Sequence, residues 1–333
     1  MPDPIYTLHY GLGPIGMRIA ELALSRPNLV PVGAVDIDTS KAGKDLGALL
    51  GLQTSLGVRV QASLGDALQS QRPDVVLHAT GSQLPTVLPQ LLEVVEAGLP
   101  VVSTCEELSF PWFHHPSEAR RIDEVTRVTG VAILSTGINP GFIMDTLAVV
   151  LSGACPQVTS LRVRRVVDLS VRRMQLQQKV GVRLSPESFA ALKAEGRLGH
   201  VGLPESVAMI AAALGWTLER VEQTLEPVIA PELLNSALGP VAAGLVQGQH
   251  QTACGLVDGR ECITLELKMA LQAPDAGDFV TLEGPQPVSS AVHGVHGDVA
   301  TAAIIVNAIP GILAVTPGLH TMLDIPPLRS VGE

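Results

Sequence analysis

Gly11-Leu12-Gly13-Pro14-Ile15-Gly16 follows directly on the apolar run Ile5-Tyr6-Thr7-Leu8-His9-Tyr10. An extended segment that ends in GxGxxG and opens an amphipathic helix forms a phosphate cradle. Gly11 permits the tight turn, Gly13 lets the backbone approach a pyrophosphate, and Gly16 lets the helix pack close on the strand. Pro14 and Ile15 sit at the helix start, where unpaired N–H groups and the favourable end of the helix dipole face the phosphate. A tight strand–helix turn without ligand is the plain alternative, and the flanking sequence decides against it. After the helical pattern Met17–Arg26 comes a second apolar run, Leu29–Val35, which ends in Asp36. Twenty residues beyond Gly16 is the spacing at which a carboxylate meets an adenosine ribose hydroxyl. The order strand, glycines, helix, strand, acid predicts dinucleotide binding.

Working outward, strands are predicted at 5–10, 29–36, 74–79, 99–104 and 130–135, with helices at 14–26, 41–50, 84–97 and 116–128. This alternation predicts an α/β domain, a Rossmann-type doubly wound parallel sheet. Ligands of such sheets lie at the carboxyl ends of the strands, so residues just past each apolar run become candidates. Thr80 and Gly81 end the third run, and their small size leaves room for the cofactor. Thr104 follows the fourth run. Asn139 follows the fifth, beside Pro140 and Gly141, where it caps a helix running to about Ser152 or orients a nicotinamide carboxamide. Phe142 is either an apolar wall of the cleft or a core residue.

From about residue 155 the texture changes. A strand over 158–168 is followed by helices near 170–180, 186–195, 204–214 and 217–223. Strands then follow at 225–230, 241–257, 261–272, 278–284 and 287–293. This order predicts an α+β substrate and dimerisation domain on an open, mainly antiparallel sheet, whose bare face a partner subunit covers. Residues 297–313 return to a helical pattern and are expected to pack back on the first domain. There Asp298, Thr301 and Asn307 are candidates for contact with cofactor, substrate or sheet. The predicted domains are therefore 1–138 with 297–333, and 139–296.

The chain has 333 residues, 46% hydrophobic, enough for two cores, and a formal charge of −10. An acidic balance without a basic cluster argues against nucleic acid and anionic membrane surfaces. The apolar stretch Ala300–Leu313 is read as too short for a membrane span. Cys105, Cys155, Cys254 and Cys262 lack metal-ligand spacing, as do His114-His115 and His293-x-x-His296 without a third ligand. No metal is expected, and a cytoplasmic enzyme with reduced thiols is.

Glu106 and Glu107 stand just past the fourth run, a position that places one of them beside a nicotinamide ring. Adjacent residues of an extended segment face opposite ways, so one can serve the pocket. A carboxylate in an apolar cleft becomes a better base near neutrality. Two solvated acids opening a helix are the alternative.

Three segments carry a family resemblance: Ser103-Thr-Cys-Glu-Glu-Leu-Ser-Phe-Pro-Trp112, Ser135-Thr-Gly-Ile-Asn-Pro-Gly-Phe142, and His296 to Gly311. They resemble the 2,4-diaminopentanoate dehydrogenases and native amine dehydrogenases, distant relatives of dihydrodipicolinate reductase. The resemblance implies a homodimer and an acid, Glu106 or Glu107 with Glu106 the first choice, that handles the ammonia and proton steps. The paired-histidine and P-S-G-T signature of dihydrodipicolinate reductases is missing. So is the lysine of the Glu-Lys-Pro oxidoreductases. An acid in that place suits a cationic iminium, which a lysine would repel.

The expected activity is reversible reductive amination of small aldehydes or ketones with ammonia. Asp36 favours NAD; Thr39, Ser40 and Lys41 leave NADP tolerated. Oxidation of 2,4-diaminopentanoate is the alternative, since Arg172, Arg173, Lys179 or Arg183 would clamp its carboxylate if they face inward. If they face solvent, Phe142, Met174 and Leu176 line an apolar pocket. A nicotinamide-binding sensor without turnover is the alternative of another class.

Overall fold

A computed structural model of the chain describes residues 3–330. In chain order the first elements are β1 (Ile5–Tyr10), α1 (Pro14–Leu24), β2 (Leu29–Val35), α2 (Leu46–Leu49), β3 (Val60–Gln61), α3 (Leu64–Ala67), β4 (Val75–His78), α4 (Leu84–Glu96), β5 (Val101–Ser103), α5 (Pro116–Thr129) and β6 (Ala132–Ser135). There follow α6 (Thr146–Ser152), β7 (Ser160–Asp168), α7 (Met174–Lys179), α8 (Pro186–Ala194), α9 (Leu203–Ala213), β8 (Arg220–Ile229), β9 (Val246–Val257), β10 (Arg260–Ala270), β11 (Gly277–Glu283) and β12 (Val288–Val292). The chain closes with α10 (Gly297–Ala314) and β13 (Gly318–His320). It divides into two compact units, Met1–Phe142 with His296–Glu333, and Ile143–Val295.

The first unit is built on a seven-stranded sheet ordered β13-β6-β5-β4-β1-β2-β3. Each pairing in it is parallel. The strands read as continuous apolar runs because both faces are covered; Val75, Val76, Val101, Val102, Ile133 and Leu134 are all fully buried. Strand order reverses between β1 and β4, which makes the gap beyond their carboxyl ends the crevice where such sheets bind ligands. Helix α10 lies against α1 and near β5 and β6, with Ala302, Ile304, Ile305 and Ile309 buried. By length and composition it would suffice to cross a membrane, a correction to the shorter stretch read from the sequence.

The second unit carries a six-stranded sheet ordered β12-β11-β7-β10-β9-β8. The β7–β10 pair is parallel and the others are antiparallel. Helix α9 packs on β9 and β10, and its close seat is set by Gly255, where a Cβ would meet Val207 at 2.6 Å. The helix predicted at 217–223 is instead the start of edge strand β8. The predicted helix 41–50 shrinks to Leu46–Leu49, because the chain turns through Gly43 at φ +82° before Asp45 caps the short helix.

Buried histidines give the first unit an acid sensitivity. His9 and His78 are fully buried, and burial lowers each pKa to about 4. Both are neutral when folded, whereas the unfolded chain protonates near 6.5. Their contribution is therefore complete above pH 6.5 and is lost as pH falls toward 4, by about 3 kcal/mol each. Urea unfolding midpoints should start to drop below pH 6.5, well above the range where carboxylates titrate. A flat profile from pH 7 to 5 would contradict this.

Candidate active site

Two of the three glycines of the loop, Gly11 and Gly16, stand where contacts leave no room for a side chain. Gly11 sits at φ +92°, a left-handed conformation suited to glycine, and a Cβ there would stand 2.5 Å from the carbonyl oxygen of Ala79. The β1 and β4 loops thus touch at the crevice. A Cβ on Gly16 would collide with the carbonyl of Gly11, whereas one on Gly13 would meet nothing within 4 Å. Helix α1 opens without a side-chain cap, with Pro14 in its first turn; the N–H groups of Ile15 and Gly16 have no acceptor within the helix. The loop therefore has the open backbone approach and donor array that a pyrophosphate needs.

Asp36, at the end of β2, is 9% exposed. Its Oδ2 accepts from Leu12 N–H at 2.7 Å and from Lys41 Nζ at 3.1 Å, and its Oδ1 accepts from Asp38 N–H at 2.8 Å. The acid is thereby fixed to the glycine loop, and Lys41 lies directly on it, also 3.4 Å from Asp38.

A polar network floors the β4–β5 end of the crevice. His78 Nδ1 lies 2.9 Å from Ser103 Oγ, and Nε2 lies 3.0 Å from Gln90 Oε1 and 2.9 Å from Thr80 Oγ1. Thr80 also donates to Gln90 Oε1 at 2.7 Å. With the ring neutral, an Nε2–H tautomer serves all three partners. Ser103 Oγ in turn accepts from Cys105 N–H at 3.1 Å, and Ser135 Oγ donates to Cys105 O at 2.6 Å. Thr104 N–H donates to His78 O at 3.0 Å. His78, a buried strand residue as expected, thus ties Thr80 to the segment that delivers the two glutamates. Gly81 packs close to Val87.

Glu106 and Glu107 open a short 3-10 turn, Glu106–Ser109, rather than an extended segment or an α-helix. Successive side chains of such a turn still diverge, and here their fates differ. Glu107 Oε2 accepts from the N–H of Leu84 at 2.7 Å and lies 2.9 Å from His115 Nε2. Helix α4 has no cap from its own flanking residue Gln83, so Glu107 supplies one from outside, where the dipole favours an anion. Glu107 is thus committed to holding α4. Glu106 is half-buried at the carboxyl end of β5. The neighbouring Cys105 thiol is pushed up to about 12, chiefly by burial and further by the two glutamate charges. It stays a protonated thiol, donating to Ser82 O at 3.3 Å.

Asn139 is buried on the rim past β6, joined to Pro140 by a cis peptide bond. The helix cap expected of it belongs to Asp145, whose Oδ1 accepts from Thr146 N–H. The chain at 139–141 turns instead of starting a helix. Thr136, unmarked in the sequence reading, is 2% exposed there with its hydroxyl unpartnered among the described residues. Thr301 Oγ1 accepts from Ile138 N–H at 3.3 Å, so α10 braces this rim. Asn307, further along α10, and Phe142 are half-buried.

In the second unit Leu176 is half-buried and Met174 is 47% exposed. Lys179 and Arg183 are exposed, with Arg183 donating to Leu238 O. Arg172 and Arg173 are half-buried. The sequence reading missed Arg165, a strand residue 5% exposed and paired with Asp278 at 3.0 Å. Burial pulls the Arg165 pKa down and pushes that of Asp278 up. The paired histidines hold no metal-binding cluster among the described residues; His115 serves Glu107 instead.

Comparison with known proteins gives a consistent picture. The family profile of the 2,4-diaminopentanoate dehydrogenase C-terminal domain matches residues 142–332. The chain is 34% identical to a 2,4-diaminopentanoate dehydrogenase of Acetoanaerobium sticklandii, over 99% of this chain and 95% of that one. It is 24% identical to an amine dehydrogenase of Streptomyces virginiae, over 99% and 98%. Among solved structures, the amine dehydrogenase of Mycobacterium smegmatis superposes with a TM-score of 0.87 at 25% identity, covering 99% of this chain and 98% of that one. The resemblance read from three short segments therefore holds along the whole length, and the chain belongs to the 2,4-diaminopentanoate dehydrogenase family.

Proposed function

We propose that the protein is a nicotinamide-dinucleotide-dependent oxidoreductase acting on CH–NH2 groups, interconverting a primary amine with a small aldehyde or ketone and ammonia. The observation that carries this reading is a half-buried acid, Glu106, at the carboxyl end of β5; Glu107 beside it accepts from the N–H of Leu84 and faces His115. Membership of an amine-oxidising family supports it.

The residues fit a dinucleotide. Gly13 leaves the backbone open, the α1 amides face the same approach, and Asp36 stands ready for a ribose hydroxyl. Thr80, Gly81, Thr104, Asn139 and Asn307 would hold the remainder. When bound, the nicotinamide exchanges a hydride with the substrate carbon. Glu106 does the proton work at the substrate nitrogen and oxygen: it takes a proton from ammonium, passes one to the leaving water, and balances the iminium charge. A lysine at that point would oppose the same cation.

NAD is the proposed cofactor, because Asp36 repels a ribose 2′-phosphate. Lys41, resting on Asp36, offsets part of that repulsion and lets NADP be used less well. The reading includes a homodimer joined through the sheet face turned away from α9; exposed Arg162 and Arg164, with Arg162 paired to Glu266 at 3.0 Å, support an open polar face.

The test is NADH oxidation in the presence of a small carbonyl, with and without ammonium. Turnover that requires ammonium, and that is slower with NADPH, is expected. Cofactor binding without ammonium-dependent oxidation would favour a nucleotide sensor, and a strong NADPH preference would overturn the cofactor assignment.

A further inference from the structure

The hydrogen bonds behind the β4 loop take their direction from one backbone group. Cys105 N–H is a donor only, and it donates to Ser103 Oγ at 3.1 Å. Ser103 is fully buried, and the other partner of its Oγ is His78 Nδ1 at 2.9 Å. The Ser103 proton therefore goes to His78 Nδ1, which must present a lone pair. Burial keeps the ring neutral, so its own proton sits on Nε2. Nε2–H faces Gln90 Oε1 at 3.0 Å and Thr80 Oγ1 at 2.9 Å. Gln90 thus turns its oxygen, not its NH2, toward the ring, and that oxygen also accepts the Thr80 proton at 2.7 Å.

Thr80 stands at the open end of this chain. It is exposed, and its methyl lies against the glycine loop, 2.8 Å from where a Cβ on Gly11 would be. Its proton is committed to Gln90 and one of its lone pairs to His78. What is left for a ligand is a single lone pair. Phosphate oxygens are acceptors as well, so Thr80 is mismatched to the pyrophosphate that the adjacent glycine loop suits. The reversed chain would make Thr80 a donor, but it would strand the Ser103 proton in a buried site without an acceptor among the described residues. Strand order adds the direction along the cofactor. Asp36 ends β2 and Thr80 follows β4, on opposite sides of β1 and its glycine loop. With adenosine at Asp36, Thr80 lies on the nicotinamide riboside side.

We propose that Thr80 is an obligatory hydrogen-bond acceptor for an O–H or N–H donor in the nicotinamide riboside half of the cofactor, and that His78 is the positioning residue that holds it in that polarity. The donors of that half are the ribose hydroxyls and the carboxamide NH2. This rests on the dinucleotide reading above.

The experiment measures NADH binding to the full chain by fluorescence. ADP-ribose, which lacks the carboxamide, and the 3-acetylpyridine analogue of NAD, in which a methyl ketone replaces it, serve as competitors. Thr80→Val keeps the shape of the side chain and removes the lone pair, so NADH should bind about three- to tenfold more weakly; Thr80→Ser should stay within about twofold. His78→Asn keeps an acceptor for the Ser103 proton but does not reach Thr80. It should weaken NADH by about threefold alone and by less than about twofold when added to Thr80→Val. A Thr80→Val loss that ADP-ribose shares supports the acceptor role and assigns the ribose hydroxyl. A loss that the acetylpyridine analogue escapes supports it and assigns the carboxamide. Nitrogen-15 NMR of the wild type reads the polarity directly: the ring whose signal is missing from a His78 variant should carry its proton on Nε2 and none on Nδ1. The opposite tautomer would overturn the proposal, as would NADH binding unchanged in Thr80→Val. Losses that simply multiply in the double variant would remove His78 from the positioning role. A wild type that binds no NADH would overturn the dinucleotide reading, and this proposal with it.

Discussion

Exchanging Glu106 for Gln is expected to lower kcat for amine oxidation by about 10²–10⁴-fold, with the Kd for NADH held within about twofold. Glutamine keeps the size and hydrogen-bonding reach of the side chain but can neither accept the proton from ammonium nor balance a cationic iminium. The matched change Glu107→Gln should give the opposite profile. Its carboxylate accepts from Leu84 N–H and faces His115; glutamine can keep the cap but removes the negative charge at the start of α4 and beside His115, which lowers stability by about 0.3–1 kcal/mol, with kcat largely kept. Steady-state rates and urea melts of both variants check the pair. Equal kcat losses, or a loss confined to Glu107→Gln, would reverse the assignment.

The second large effect concerns two glycines three residues apart. Gly16→Ala should destabilise the fold by about 3 kcal/mol, because the added methyl runs into the Gly11 carbonyl, which is backbone and cannot turn aside. Gly13→Ala should melt like the wild type. Its φ of −66° suits alanine, and its Cβ would meet no atom of the chain within 4 Å. The methyl would instead stand where the pyrophosphate must approach, weakening cofactor binding by about tenfold or more, ~1.4 kcal/mol at least. Calorimetric titration with NADH and a thermal melt separate the two. A Gly13→Ala protein that binds NADH as the wild type does would remove the phosphate from this loop.

Much of this was legible before any coordinates. The order β1, glycine loop, α1, β2, Asp36 follows from apolar runs and glycine positions that only a few local geometries satisfy, and the parallel strands declare themselves as unbroken Val, Ile and Leu. Strand β8 did not, because Leu218, Val221 and Leu225 are spaced as on a helix face. The charged residues between them, Glu219, Arg220 and Glu222, blunt an exposed sheet edge, and the same pattern imitates an amphipathic helix. Strands β3 and β13 are two and three residues long, too short to register as a period.

The site was legible in its glycines and acids but not in its partners. Nothing in the sequence says that Glu107 reaches α4 and His115, since those contacts are made by a loop folding back over eight and twenty-three residues. The different surroundings of the two acids are therefore visible only in the fold. Asn139 was expected to cap a helix, but the chain delays that helix until Asp145 can do so.

The central claim is that Glu106 carries the proton chemistry of an amine oxidation. Its most direct test is a single-turnover experiment in which enzyme preloaded with NAD is mixed with a primary amine that the wild type oxidises and NADH absorbance is followed. The account predicts a rapid rise with wild type and with Glu107→Gln, and a rise at least about a hundredfold slower with Glu106→Gln. Equal rates for wild type and Glu106→Gln, at equal NAD occupancy, would contradict it.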